Sequence, residues 1–347
     1  MQSLEMKEIL LKAKYAGASD VHLTVGSTPV FRLNGEIFRQ ESWPVLRPED
    51  TEKMSREMMN DQLKATFEKD GEVDFAYAIS GVSRFRVNIF RQRGSYCASI
   101  RVVNSEIPSL EQLGMPQVLA KLARRPKGLV LVTGPAGSGK STTLAAMINL
   151  INQEKKGHIL TLEDPIEYLH WHQNCIVNQR EIGLDSPSFN VALKDALRED
   201  PDILMIGEMR DLDTISTALT AAETGHLVLA SLHTSGAIQT IERVIDVFPP
   251  HQQQQIRIQL ADTIQGVVSQ VLVRRADRQG RAAAVEVLIS TPAVRSLIRE
   301  GKTHQLTSMI QAGGQYGMQT LNDSLKELVG KGIINWDEVA SGGFSAS

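Results

Sequence analysis

Residues 134–141 read Gly134-Pro135-Ala136-Gly137-Ser138-Gly139-Lys140-Ser141 and satisfy the G-x-x-x-x-G-K-[ST] pattern at every fixed position. The apolar run 128–133 precedes them and a helical pattern begins at Thr142. Strand, glycine loop and helix, in that order, are the context in which the pattern is a phosphate-binding loop. The glycines let backbone N–H groups turn inward around phosphates. Lys140 adds a point charge for the β- and γ-phosphates, and Ser141 offers a hydroxyl to Mg²⁺. The stretch from Gly134 to Thr142 is therefore expected to bind ATP or GTP.

Composition bounds the rest. A chain of 347 residues exceeds one ordinary core, so two domains are expected. Hydrophobic residues make up 42% and charged residues 22%, as in a globular protein. The formal net charge of −3 argues against a nucleic-acid partner. Two cysteines, Cys97 and Cys175, can build neither a disulfide framework nor a four-cysteine zinc site, which fits a reducing compartment. The start is polar and acidic, unlike a signal peptide. No apolar run approaches the roughly 18–20 residues of a membrane span. A cytoplasmic protein is expected, with no direct membrane insertion.

From about residue 116 the pattern alternates between strands and helices. Apolar runs at 128–133, 158–162, 202–206 and 227–231 are separated by helical stretches near 142–153, 188–199 and 211–223. That rhythm predicts an α/β fold with a parallel sheet covered on both faces. Residues 248–347 read as mostly helical, with one strand pair near 268–274 and 283–288.

In such a sheet ligands bind at the carboxyl edge, so strand ends carry the candidate chemistry. One strand ends in Glu163-Asp164-Pro165-Ile166-Glu167, and Glu163, nearest the strand, is the candidate to orient or deprotonate an attacking water. A second ends in Gly207-Glu208, with Glu208 where the strand beside a phosphate loop often holds an acid for Mg²⁺. Asp211 and Asp213 read as helix N-terminal acids. The run 227–231 lies between His226 and His233. His233, at the carboxyl end, is a candidate hydrogen-bond partner of the γ-phosphate or the water, while His226 reads as structural. His170-Trp171-His172 lacks companion ligands at metal spacing.

The first third has no such rhythm. Residues 3–15 read as a short amphipathic helix and 48–69 as another helical stretch. Strands are expected at 21–25, 29–33, 73–79, 85–90 and 98–103, with Asn34-Gly35 as a hairpin turn. This predicts an α+β domain with a mostly antiparallel sheet over residues 1–106. A linker at 107–116 and a second domain at 117–347 complete the expected organisation. Arg84 and Arg86 fall on one strand face with Phe85 on the other, and Arg101 lies on the next strand. These arginines are candidates to reach a γ-phosphate, with Arg198 and Arg210 as competitors.

Taken together, 134–143, 161–167, 197–202, 207–211 and 220–226 through His233-Thr234 resemble the secretion ATPase superfamily. They stand as its Walker A motif, aspartate box, atypical Walker B motif and histidine box. The resemblance implies a RecA-like P-loop core, an N-terminal PAS-like domain and a helical C-terminal region from about 248. It also implies that Arg86 and Arg101 are phosphate-sensing.

Within the superfamily the chain resembles the type IV pilus retraction motors. It starts directly at the PAS-like domain and lacks a four-cysteine zinc motif. Ala293-Val294-Arg295-Ser296-Leu297-Ile298-Arg299-Glu300 is similar to the retraction signature Ala-Ile-Arg-Asn-Leu-Ile-Arg-Glu, departing at Val294 and Ser296. Ala136 stands where threonine is common. The resemblance implies a homohexameric motor that hydrolyses ATP with Mg²⁺ and acts on an inner-membrane pilus platform protein, held at that membrane only through the pilus machinery.

Overall fold

In the computed structural model, residues 5–33, 35–79, 82–103, 106–278 and 280–341 are described. The chain divides into two units, Met1–Glu106 and Ile107–Ser347.

The first unit runs α1 (Met6–Tyr15), β1 (Asp20–Leu23), β2 (Val30–Leu33), β3 (Glu36–Arg39), α2 (Pro48–Met58), α3 (Asp61–Asp70), β4 (Glu72–Ile79), β5 (Ser83–Gln92) and β6 (Ser95–Val102). Its sheet has the order β3-β2-β1-β6-β5-β4, antiparallel throughout. Period-2 alternation places Phe85, Val87 and Ile89 in the core and leaves Arg86 exposed on the other face. The helical stretch expected over 48–69 is two helices. Met59 turns extended, and the Asn60 side chain caps α3 by accepting from the Leu63 N–H at 2.9 Å. Leu33 pairs with Glu36 across the expected hairpin, of which Asn34 lies outside the described residues.

The second unit runs α4 (Val118–Ala123), β7 (Gly128–Thr133), α5 (Lys140–Glu154), β8 (Gly157–Glu163), β9 (Cys175–Glu181), α6 (Phe189–Ala196), β10 (Ile203–Ile206), α7 (Leu212–Glu223), β11 (Leu227–Leu232), α8 (Ala237–Asp246), α9 (Pro250–Thr263), β12 (Ile264–Arg274), β13 (Arg281–Ile289), α10 (Pro292–Arg299), α11 (Leu306–Ala312), α12 (Leu321–Gly330) and α13 (Trp336–Ser341). The sheet order is β13-β12-β7-β11-β10-β8-β9, with every neighbouring pair parallel except β12 with β13. Every residue of β7, β10 and β11 is buried, which is why these strands read as continuous apolar runs.

Several features go beyond the pattern of the sequence. β9 was not expected: it is an edge strand whose alternation of buried Cys175 and Val177 with exposed Ile176 and Asn178 is short and dissolves into polar residues. The C-terminal strand pair does not stand apart among helices but joins the main sheet, β12 lying parallel beside β7. The strand next to β7 on the other side is β11, so β10, which leads to Glu208, is one strand further away. Leu110, Leu113 and Met115, from the stretch expected as a linker, pack on the core of this unit.

Candidate active site

The parallel strands carry their C-terminal residues to one edge, where a cavity of about 460 Å³ opens. Lys140, Ser141, Glu163, Glu208 and His233, proposed separately from four sequence segments, all line it.

The phosphate loop is shaped by close packing. Gly134 has φ +144°, and a Cβ there would lie 2.2 Å from the carbonyl oxygen of Gln270 on β12. No side chain fits that approach, so glycine is required. Gln270 also donates from Nε2 to the Ser138 carbonyl at 2.5 Å and accepts from the Thr143 hydroxyl at 2.9 Å, pinning the loop to the first turn of α5. The sequence reading missed Gln270, although a buried amide inside the apolar strand Val267–Leu272 is a visible signal.

Lys140 is buried, and its Nζ donates to the carbonyls of Gly134 at 3.0 Å and Pro135 at 3.1 Å. Burial lowers its pKa, and the charges of Glu208 and Glu167 oppose that shift. The ammonium also lies 3.4 Å from His233 Nδ1, while His233 Nε2 lies 3.3 Å from Glu208 Oε1. One tautomer satisfies both contacts: Nδ1 accepts from Lys140 and Nε2–H donates to Glu208. Arg210 Nη2 donates to the second oxygen, Glu208 Oε2, at 2.8 Å. Lys140, His233, Glu208 and Arg210 thus form one chain of alternating partners. Burial works to raise the Glu208 carboxyl, but Arg210 and His233 outweigh it and hold it below the usual range. Arg210, considered as a finger, is engaged with Glu208.

Glu163 has the opposite setting. Its carboxylate is buried at the end of β8, where Oε1 accepts from the Thr161 hydroxyl at 2.6 Å and from Gln179 Nε2 at 3.0 Å. Burial pushes its pKa up to about 7, against the hydrogen bonds from Thr161 and Gln179. Gly207 allows the two acid-bearing strands to converge here: its N–H donates to the Leu162 carbonyl at 2.7 Å, and a Cβ would meet that oxygen at 3.1 Å. Two carboxyls in one cavity are driven in opposite directions, the arrangement that separates a proton-accepting role from a permanently ionised one.

The segment between β8 and β9 is strapped over α5. Buried Asn152 donates to the Trp171 carbonyl at 2.7 Å and accepts from the N–H groups of Gln173 and Cys175, each at 3.2 Å. The Tyr168 hydroxyl meets Thr142 Oγ1 at 2.9 Å. His170, set aside as a metal ligand, is buried against the cavity with its Nδ1 unpartnered, and burial lowers its pKa to about 4. Among the described residues no group of three His, Cys, Asp or Glu side chains is placed to hold a metal ion. His226 Nδ1 lies 2.9 Å from the Ala221 carbonyl oxygen at the far end of β11, a structural contact. Asp211 caps α7 by accepting from the Thr214 N–H at 2.8 Å.

Other expected residues lie elsewhere. Arg86 and Arg101 are direct cross-strand partners in the first unit, and Arg101 Nε donates to Asp20 at 3.2 Å. Within 293–300, Val294 and Ile298 are core residues, Arg295 donates to Ser290 at 2.9 Å, Ser296 donates to Glu300 at 2.8 Å, and Arg299 pairs with Asp262 of α9. Arg281, at the start of β13, lines the cavity and was not anticipated.

Residues 3–341 match the model of the Type II/IV secretion system protein family. The chain belongs to this family. Among its relatives, the type IV pilus retractation ATPase PilT of Pseudomonas aeruginosa is 48% identical over 332 residues, 96% of each chain. A twitching motility protein of Neisseria gonorrhoeae is 47% identical, covering 88% of this chain and 82% of its own length. The crystal structure of the pilus retraction motor PilT with bound ADP has the same fold, with a TM-score of 0.90 and 49% identity over 96% of each chain. In this family member Lys140, Ser141, Glu163, Glu208 and His233 line a single cavity.

Proposed function

We propose that the protein is an ATP-hydrolysing motor that powers retraction of a type IV pilus. The observation that carries this is the cavity at the sheet's carboxyl edge, where a phosphate loop meets the buried Glu163 and a Glu208 held by Arg210 and His233. The near full-length similarity to PilT, crystallised with ADP, supports both the nucleotide and the pilus.

In this reading residues 134–142 hold the β- and γ-phosphates through backbone N–H groups and Lys140, which leaves the loop carbonyls for the nucleotide. Glu163 accepts the proton of the attacking water, since a carboxyl with a pKa of about 7 is a competent base at neutral pH. Glu208 stays ionised. Ser141 and Glu208 line the same cavity and offer a hydroxyl and a carboxylate, oxygen donors of the kind Mg²⁺ accepts while keeping waters and phosphate oxygens. Bound there, Mg²⁺ would neutralise phosphate charge. His233, between Lys140 and Glu208, senses whether Lys140 is engaged by phosphate.

Arg86 and Arg101 complete the reading as phosphate-contacting residues. These two are direct cross-strand partners; Asp20 offsets the charge of Arg101, while Arg86 is exposed to an incoming anion. Domain closure on ATP and release after hydrolysis, repeated around a homohexamer, would move an inner-membrane platform protein and withdraw pilins. Among the described residues no helix is long and apolar enough to cross a membrane, so the reading assigns that link to a protein contact.

Steady-state hydrolysis by the wild type and by Glu208→Ala tests the enzyme. Equal turnover would favour a low-turnover nucleotide-dependent assembly regulator, and stimulation by DNA would favour a DNA-handling ATPase. Deleting the gene tests the direction of work: pili present or in excess are expected. Loss of all pili would instead assign extension or type II secretion.

A further inference from the structure

We propose that Gln179 is a positioning residue for hydrolysis, its side-chain amide holding the Glu163 carboxylate and tying it to the backbone at 168–170. The proposal rests on the reading of Glu163 as the base.

Sheet register brings the groups together. β8 and β9 are parallel, with Thr161 opposite Gln179 and Glu163 opposite Glu181. Residues two apart on a strand share a face, so Thr161, Glu163 and Gln179 point the same way. Gln179 Nε2 donates to Glu163 Oε1 at 3.0 Å and to the Tyr168 carbonyl at 2.9 Å. Its Oε1 accepts from the His170 N–H at 2.8 Å. Both amide hydrogens are used, and the oxygen has its own donor. A flipped amide would set its oxygen against a carboxylate and a carbonyl, and its NH₂ against an N–H. The network therefore has a single solution, and it fixes the carboxylate's rotation.

The same amide secures a segment that faces nucleotide chemistry. Tyr168 reaches Thr142 beside the phosphate loop, and His170 presents a buried imidazole to the cavity. The titratable and charged groups of this cavity and its flanking strand are Asp164, Glu167 and His170 on that segment, Lys140 of α5, Glu208 after β10, His233 after β11, Arg281 of β13 and Glu181 of β9. Burial raises the Glu163 pKa, and hydrogen bonds to the ionised form from Thr161, Gln179 and the Glu167 backbone lower it, with the Glu167 charge opposing them weakly.

The test uses the full chain carrying Gln179→Leu, which removes donor and acceptor, and Gln179→Glu, which keeps shape and acceptor but replaces the donor with negative charge. For each, kcat and KM for ATP are measured from pH 5.5 to 9, with thermal unfolding as the fold control. We expect kcat near pH 7 to fall about tenfold or more, KM to stay within about twofold, and the acid limb of kcat to move up by about half a pH unit or more. The shift should be larger in Gln179→Glu. A loss of kcat uniform across pH with the limb unmoved, or a loss confined to KM, overturns the proposal. Wild-type turnover in either variant does so too. If Gln179→Leu does not fold, the near-isosteric Gln179→Glu decides alone. Glu163→Gln separates the two readings: wild-type turnover there removes the base itself, whereas abolished turnover with an unmoved limb in the Gln179 variants removes only the positioning role.

Discussion

Among the described residues of the first unit, the polar residues buried as a whole, besides Tyr96, are Thr51, Ser55 and Ser83, whereas the second unit buries Lys140, Glu163, His170 and Glu181. Two of these hydroxyls are met by backbone carbonyls: Thr51 donates to Pro48 at 3.1 Å and Ser83 to Val103 at 2.9 Å. Most charges of the first unit face water, as with Arg101, whose side chain is 69% exposed, although its partner Asp20 is only 15% exposed. Burying an ionisable group costs several kcal/mol, so a fold retains one only where an interaction or a reaction uses it. The difference shows where buried ionisable groups gather before any ligand is considered: Lys140, Glu163 and His170 of the second unit line one cavity, while the first unit offers mainly surface charge.

The contrast breaks most readily at Lys140. Lys140→Ala should lower turnover by about 10²–10³-fold, the cost of losing one preorganised phosphate contact. Weakened binding of a fluorescent ADP analogue, with the thermal midpoint retained, would be the companion result. Turnover within a few-fold of wild type would mean that the buried ammonium is structural.

Glu163→Gln should abolish proton acceptance and lower kcat about 10²–10⁴-fold. In the wild type, kcat should rise with pH through about 7, as the carboxyl loses its proton. Stability should run the other way. The folded-state pKa lies above the ordinary value of 4.5, so the stability this group contributes is complete below about pH 4.5 and is lost as pH rises through about 7. Glu163→Gln should therefore unfold at a higher temperature than the wild type at pH 8, by up to about 3 kcal/mol, with little difference at pH 4. Equal midpoints at both values would mean that the carboxyl is not held out of solvent.

Glu208→Ala should lower turnover about 10²-fold and His233→Ala about tenfold, both with ADP binding retained. The two effects should not add in the double variant, since both residues belong to one hydrogen-bonded chain with Lys140. Full additivity in a double-mutant cycle would separate them.

How much of this was legible follows from where each signal resides. The phosphate loop, Glu163, Glu208 and His233 were readable because each follows a largely apolar run, and apolar runs mark the central strands of a parallel sheet. Their convergence followed from the rule that such strands end at one edge. β9 was not readable, since an edge strand buries one face over a few residues and Cys175–Glu181 turns polar halfway along. Gln179 was invisible with it, because a glutamine among polar residues carries no pattern. Gln270 was readable in principle, as an amide cannot sit unpaired within an apolar strand. The neighbour order of β7, β11 and β10 is a long-range property that local periodicity does not encode.

The smallest expected effect tests the other side of the comparison. Arg101, 69% exposed, pairs at 3.2 Å with Asp20, which is 15% exposed and keeps Arg32 at 3.8 Å as a second partner, and a pair with a solvent-exposed member contributes about 0–1 kcal/mol. Removing Arg101 also relieves its opposition to Arg86. Arg101→Ala should therefore move the thermal midpoint of the first unit by no more than about 1 kcal/mol in either direction. If surface charge in this unit is retained for phosphate, the same variant must still lose turnover, and Arg86→Ala must lose it with equally little change in stability. A large loss of stability would place Arg101 among the structural groups of the sheet. Unchanged stability with unchanged turnover would leave the interior charges of the second unit sufficient for hydrolysis by themselves.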